Sequence, residues 1–214
     1  MENNIASLRL DYSAQVLLEE EVAPDPINQF EHWWQQAIES KIIEPNAMTL
    51  ATSSCDGVPS ARIVLLKGLQ KDGFIFYTNY ESYKGQQLTE NPKASIVFFW
   101  KELERQVRIV GLVKKISQQD SDAYFHSRPV GSQIGAIASP QSRVIESRQW
   151  LDDQYKQVEN NSINNNVQRP DWWGGYIVNP VVIEFWQGRT SRLHDRIQYT
   201  LQQDATWKIE RLAP

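Results

Sequence analysis

At Ala47 the hydrophobic period of this 214-residue chain changes from that of a helix to that of a strand. Apolar residues alternate over Met48–Ser53, Ala61–Lys67 and Phe74–Thr78, and the intervening turns are Asp56-Gly57 and Asp72-Gly73. Asp-Gly between β-rich runs is the strongest short-range signal for a hairpin, because both turn positions must adopt positive φ. The pattern therefore predicts a meander of three strands and excludes an all-helical bundle. Upstream, Phe30, Trp33, Trp34, Ala37 and Ile38 share one face of a helix expected to be capped by Asn28 and to run to about Lys41, before Pro45.

Further along, Glu81–Glu90 reads as a short helix closed by Asn91-Pro92, and Ala94–Trp100 and Gln106–Ile116 as two long strands. Helices are expected over Asp120–Ser127, from Pro129 to Ala138 and over Ile145–Val158, followed by an Asn-rich mobile loop at Glu159–Gln168. Strands return at Tyr176–Trp186, Arg192–Leu201 and Thr206–Arg211. Many antiparallel strands with inserted helices predict an α+β fold, mainly antiparallel β, built as a Greek-key barrel with peripheral helices. Residues 1–26, with Pro24 and Pro26, read as an N-terminal arm with one helical turn around Leu8–Tyr12, and residues 27–214 as a single domain.

A hydrophobic fraction of 41% and a charged fraction of 22% suit a folded globular chain, which at this length supports a core without disulfides or metals. The net charge of −4 lacks the positive field that polyanion binding uses, so nucleic acid is not expected as a partner. One cysteine, Cys55, excludes an internal disulfide and every paired-cysteine motif; it is expected in the core or a strand, in a reducing, cytoplasmic compartment. Three scattered histidines give no metal cluster, and no apolar run is long enough to span a membrane. Glycine-rich dinucleotide and P-loop signatures and the nucleophile elbow are missing from the sequence.

Four groups of cations and hydroxyls remain. Arg62 and Lys67 bound the apolar stretch Ile63-Val64-Leu65-Leu66; at about 3.3 Å per residue they lie roughly 16 Å apart on opposite faces, so one small anion does not hold both. Taken alone, they read more readily as strand-end charges reaching water than as a site. In Arg192-Leu193-His194-Asp195-Arg196, period two puts Arg192, His194 and Arg196 on one face, where cations repel unless an anion or polar ligand joins them. Tyr124 and Arg128 are helical neighbours, and Ser132 sits just inside the next helix, making either a phosphate cup or an ordinary helical corner. Tyr77-Thr78-Asn79 followed by Ser82 and Lys84 is a strand, hydroxyl turn and helix start that seats a phosphate or simply caps a helix.

In this order the segments resemble the pyridoxine (pyridoxamine) 5′-phosphate oxidase family of vitamin B6 metabolism. The resemblance rests on Asp25-Pro26 with Phe30 and Trp33, Arg62 to Lys67, Phe76 to Asn79, Leu103 to Val107, Tyr124 to Pro129, Ser132 to Gly135, Trp172 to Gly175, Ile183 to Gly188, Arg192 to Arg196 and the ending Arg211-Leu212-Ala213-Pro214. It implies the FMN-binding split barrel, a homodimer with FMN in clefts at the subunit interface. FMN would contact Arg62, Ile63, Val64, Leu65, Leu66, Lys67, Tyr77, Thr78, Lys84, Gln106, Gln141, Ser142, Trp186 and Arg196. Substrate phosphate would fall to Lys67, Tyr124, Arg128 and Ser132. Arg192, Leu193 and His194 would lie at the pyridine ring, with Arg192 and His194 as the catalytic pair, and Arg9 and Tyr12 would close the site. The implied reaction oxidises C4′ of pyridoxine 5′-phosphate or pyridoxamine 5′-phosphate with dioxygen as acceptor, releasing pyridoxal 5′-phosphate, hydrogen peroxide and, from the amine, ammonia. One departure is Tyr83, where family members often carry a basic residue. Two rival readings share the fold: a split-barrel flavin reductase or oxidase for another substrate, and a non-catalytic flavin or pyridoxal-phosphate carrier.

Overall fold

The computed structural model describes residues 11–162 and 167–214. The chain runs α1 (Pro26–Glu39), β1 (Ala47–Ser53), β2 (Pro59–Leu65), β3 (Gly68–Gln70), β4 (Gly73–Asn79), α2 (Tyr83–Glu90), β5 (Lys93–Trp100) and β6 (Arg105–Lys115). It continues through α3 (Gln118–Ser127), α4 (Val130–Ala138), α5 (Arg148–Asn161), β7 (Trp173–Gln187), β8 (Asp195–Leu201) and β9 (Trp207–Arg211). The hydrogen-bonded strand order is β2-β1-β5-β6-β7-β4-β3, with β8 added to β7 and β9 to β8.

The expected three-strand meander is two hairpins instead. β1 pairs with β2 and β3 pairs with β4, at opposite ends of the strand order. The strand that the period predicted through Lys67 stops at Leu65, because Leu66 turns inward to 7% exposure and the Lys67 N–H donates to Ile75 O, joining the next hairpin. Lys71-Asp72 then form a two-residue loop, and β4 is buried at six of its seven positions. Cys55 lies exposed in the β1–β2 turn rather than in the core, beside Gly57 with its positive φ of 82°.

Two compact units divide the chain: one comprises the chain to Leu50, Ser95–Gly111 and Pro180–Pro214, the other Ala51–Ala94 and Leu112–Asn179. In the first, α1 begins three residues earlier than a cap at Asn28 implied. Asp25 is the cap, its carboxylate accepting from the Ile27 and Asn28 N–H groups, and Pro26 occupies the first helical position, where no N–H is needed. The helix buries Phe30, Trp33 and Ala37. Phe30 meets Phe98 at 5.1 Å, and the Trp33 ring meets Phe185 edge-on at 5.2 Å. Arg105 lies 4.3 Å over the Trp33 ring and donates through Nε to Gln187 Oε1; burial pushes its guanidinium down to about 10.

In the second unit β4 pairs with the first half of β7, from Phe74 opposite Val178 to Asn79 opposite Trp173. Gly73 permits this approach, since a Cβ there would stand 2.3 Å from Val178 O. Helices α3 and α4 close over Phe125, Ile134, Val167 and Trp173. The Asn-rich stretch is partly helical, because α5 starts late at the Ser147 cap and continues to Asn161. Residues 163–166 of the expected loop, and the expected turn from Leu8 as far as Leu10, lie outside the described residues. Among the described residues no helix is long and apolar enough to cross a membrane.

Candidate active site

A cavity of about 960 Å³ opens within the second unit. Its walls bring together Arg62, Ile63, Val64, Leu65 and Lys67 from β2 and its exit, Tyr77, Thr78 and Asn79 from the end of β4, and Tyr83 and Lys84 from the start of α2. Tyr124, Arg128, Ser132, Gln141, Ser142 and Trp173 complete it with one face of α4. Leu66 does not line it; its side chain packs into the core. Arg62 and Lys67, placed on opposite faces by strict alternation, both reach this cavity because the chain leaves the strand between them. Among the described residues four cations and no carboxylate line the walls, so the cavity is built for an anionic ligand.

Lys84 is held by a strand, turn and helix in succession. Ser82 caps α2, its Oγ accepting from Gly85 N, and Lys84 Nζ donates to Thr78 Oγ1 at 3.2 Å, Gln141 Oε1 at 3.2 Å and Ser82 Oγ at 3.4 Å. These partners are neutral, and the lysine is only 8% exposed. Burial, aided by the nearby Arg62 charge, pushes its ammonium down to about 8. Two cations crowded in a half-dry wall are stabilised when a phosphate enters.

The opposite wall is aromatic. Tyr77 and Tyr124 stack at 3.7 Å and 16°, and Trp173 lies nearly parallel to both. Burial raises both phenols, Tyr77 to about 12, so they stay protonated donors. Arg128, the last residue of the α3 corner, sits 4.7 Å over the Trp173 ring. Its Nη1 is buried without a hydrogen-bond partner among the described residues. A buried donor on a charged group is costly to leave unsatisfied, so it marks where a ligand oxygen belongs.

The remaining expected residues lie in the first unit. Arg192, His194 and Arg196 do not share a strand face, because Thr190–Arg192 form a 3₁₀ turn in which Ser191 and Arg192 have φ of 56° and 61°. β8 starts only at Asp195. The Arg189 N–H donates to His194 Nδ1 at 3.1 Å, which makes Nδ1 the acceptor and leaves the ring proton of the neutral imidazole on Nε2. Burial, with Arg192 adding to it, lowers the His194 pKa and favours that neutral form. Trp186 lies 4.6 Å from the His194 ring, and Tyr12 at 6.0 Å. Leu193 is exposed. On β8, Arg196 is paired with Trp186 across the strands and is gripped by Glu184, Nε to Oε1 at 2.9 Å and Nη2 to Oε2 at 3.1 Å. Gln106 sits half-buried on β6. Arg9 lies outside the described residues.

Several site residues were not singled out from sequence. Gly135, Ala136 and Ser139 follow Ser132 at helical spacing, a signal that was available. Trp173, expected just before the strand at Tyr176, and Glu184, expected inside it, lie in segments that carry the resemblance but were given no site role; β7 in fact starts at Trp173.

The sequence model of the family described as pyridoxamine 5′-phosphate oxidase matches residues 34–162, and that of the pyridoxine 5′-phosphate oxidase C-terminal dimerisation region matches residues 173–214. Among curated relatives, the chain is 53% identical to a pyridoxine/pyridoxamine 5′-phosphate oxidase of Trichormus variabilis over 100% of both chains. It is 56% identical to that of Synechocystis over 99% of this chain and 98% of the relative. Among solved structures, PhzG from Burkholderia lata, crystallised with tetrahydrophenazine-1-carboxylic acid, superposes with a TM-score of 0.88 at 29% identity, covering 94% of this chain and all of that one. A pyridoxamine 5′-phosphate oxidase-related, FMN-binding protein from Nostoc punctiforme shares the fold, with a TM-score of 0.70 at 17% identity over 91% of this chain and 99% of that one. The fold is therefore the split barrel of these proteins, and the chain belongs to the pyridoxamine 5′-phosphate oxidase family.

Proposed function

We propose that this protein is an FMN-dependent oxidase that converts pyridoxine 5′-phosphate and pyridoxamine 5′-phosphate to pyridoxal 5′-phosphate. Dioxygen is reduced to hydrogen peroxide, and the amine substrate also consumes water and releases ammonia. The observation that carries this reading is the cavity wall of four cations without a carboxylate among the described residues, facing stacked aromatic rings. Two anionic phosphates, one on the cofactor and one on the substrate, account for four cations better than one does. Bound FMN supplies the two-electron acceptor chemistry that amino-acid side chains lack.

The residues fit such a cofactor. Arg62 and Lys84, close enough for one charge to depress the other, suit its phosphate; Thr78, Gln141 and Ser142 offer neutral hydrogen bonds beside them. Lys67, Tyr124, Arg128 and Ser132 suit the substrate phosphate, with the unpartnered Arg128 Nη1 as its most demanding donor. Arg192 binds the C4′ substituent, and His194, neutral with its proton on Nε2, orients the pyridine ring by donating rather than by abstracting. The chain works as a homodimer in which Gln106, Trp186, Arg192, His194 and Arg196 complete the FMN site at the subunit interface, and Tyr12 and Arg9 close it. The match to a dimerisation region and the exposed Phe99 and Val110 support this assembly.

An anaerobic visible spectrum tests the function. Addition of pyridoxine 5′-phosphate is expected to bleach the bound flavin, and air to restore the colour with peroxide. A yellow protein that does not bleach would instead favour a carrier or an oxidase for a ring compound such as the PhzG ligand. Arg192→Ala is expected to lower turnover far more than flavin content; equal losses of both would refute its role.

A further inference from the structure

Lys84 and Gln87 stand one turn apart on the buried face of α2, and Gln87 is only 2% exposed. Its Oε1 accepts two hydrogen bonds, from Thr52 Oγ1 at 2.5 Å and from Ser60 Oγ at 2.7 Å. The same two hydroxyls accept from the Arg62 fork, Nη1 to Thr52 Oγ1 and Nη2 to Ser60 Oγ, each at 2.6 Å. The fork, two hydroxyls and one carbonyl oxygen thus close a ring.

The polarity of that ring is fixed by chemistry. A guanidinium only donates, so each hydroxyl must accept from Arg62 and pass its own proton onward, and Gln87 Oε1 has the two lone pairs to receive both. With the amide reversed, each hydroxyl would face two donors, Gln87 would offer neither proton an acceptor, and the long 3.5 Å contact between the two hydroxyls could serve at most one of them. The orientation persists although it leaves Gln87 Nε2 buried without a partner among the described residues. Thr52, Ser60 and Gln87 are all neutral, so the ring sets the direction of the guanidinium without cancelling its charge. A carboxylate in the same place would do both, and burial already pulls the Arg62 guanidinium below its ordinary value.

We propose that Gln87, acting through Thr52 and Ser60, is a positioning residue that aims Arg62 at the FMN phosphate and so sets the preference of the site for FMN over riboflavin. This rests on the flavin reading above. The test uses the full-length protein stripped of flavin and titrated with FMN and with riboflavin, following quenching of flavin fluorescence. The wild type is expected to prefer FMN. Gln87→Leu and Thr52→Val should each weaken FMN roughly tenfold, the weight of a charge-assisted hydrogen bond, and leave riboflavin unchanged. Thr52→Ser should restore FMN affinity. Gln87→Glu should weaken FMN as well, although it keeps the acceptor, because its charge offsets that of Arg62. Thermal melts confirm folding, and Gln87→Met serves if Gln87→Leu does not fold. Equal losses for the two flavins, or unchanged FMN binding, would overturn the positioning role while leaving the flavin reading intact. A wild type that binds neither flavin would overturn both.

Discussion

Lys84 holds a charge where burial disfavours one. With a folded value near 8 against an ordinary 10.5, the flavin-free folded chain binds fewer protons than the unfolded chain between those pH values. Its stability therefore rises as pH increases from about 8 to 10.5, and the charged lysine destabilises it below that window. A bound phosphate reverses the preference by favouring the ammonium. Two trends are expected: the melting temperature of wild type gains on that of Lys84→Met over this interval, and FMN affinity in fluorescence titrations declines over the same range. Arg128 gives a second test at this scale. Arg128→Ala removes the donor that lacks a partner, so KM for pyridoxine 5′-phosphate is expected to rise roughly 10- to 100-fold, the weight of a hydrogen bond to a charged group. FMN content should not change, since Arg128 is assigned to the substrate. Both cations were visible in the sequence because lysine and arginine inside hydroxyl-rich turns carry a local signal. Gln87 was not, since nothing in a helical Gln-Gln pair tells which amide is buried.

Among the elements, α2 depends on one close approach. A Cβ on Gly85 would stand 2.1 Å from Tyr80 O, so Gly85→Ala must displace the helix start that presents Lys84. The expected result is a loss of about 1–3 kcal/mol in thermal or denaturant unfolding, typical of overpacking, together with weaker FMN binding. The N-terminal arm is held differently. Arg211 on β9 donates to both carboxylate oxygens of Glu19, to Asp195 Oδ1 and to Leu17 O. That contact gives the acidic run at Glu19 a structural role, and hydrogen bonds from Arg211 hold the Glu19 carboxyl down at about 2. The tether is complete above the ordinary carboxylate value of 4.5 and is lost as pH falls from there toward about 2. Arg211→Met is expected to expose the arm to cleavage before Pro24 under limited proteolysis at neutral pH; unchanged protection would refute the tether.

For the whole molecule, the test is assembly. Val110 is 41% exposed on the outward row of β6 beside Gln106 and Arg108, so a charge there is harmless to an isolated chain but not to an apolar interface. Val110→Glu is expected to shift the protein to a monomer in sedimentation and to lower flavin retention with it. Much of the architecture was legible from local rules: the periods of two and 3.6, Ser82 before α2 and Pro129 before α4 all act within a few residues, and the Asp-Gly pairs marked the places of two hairpins, although only Gly57 among them takes positive φ and the second loop is Lys71-Asp72. So was the cationic, anion-binding character of the site, because cations and hydroxyls recur beside strand ends and helix starts. Long-range pairing decided the rest. The meander became two hairpins because Lys67 N finds Ile75 O, and Arg192 left the strand face because a left-handed turn precedes β8. Trp173 entered the aromatic wall through its strand register opposite Asn79. Glu184 reached Arg196, and Gln87 reached Arg62, only through the packing of segments remote in sequence. Period and propensity describe each residue's own neighbourhood, whereas these partners are chosen by whichever arrangement buries the core and leaves the fewest polar groups unsatisfied.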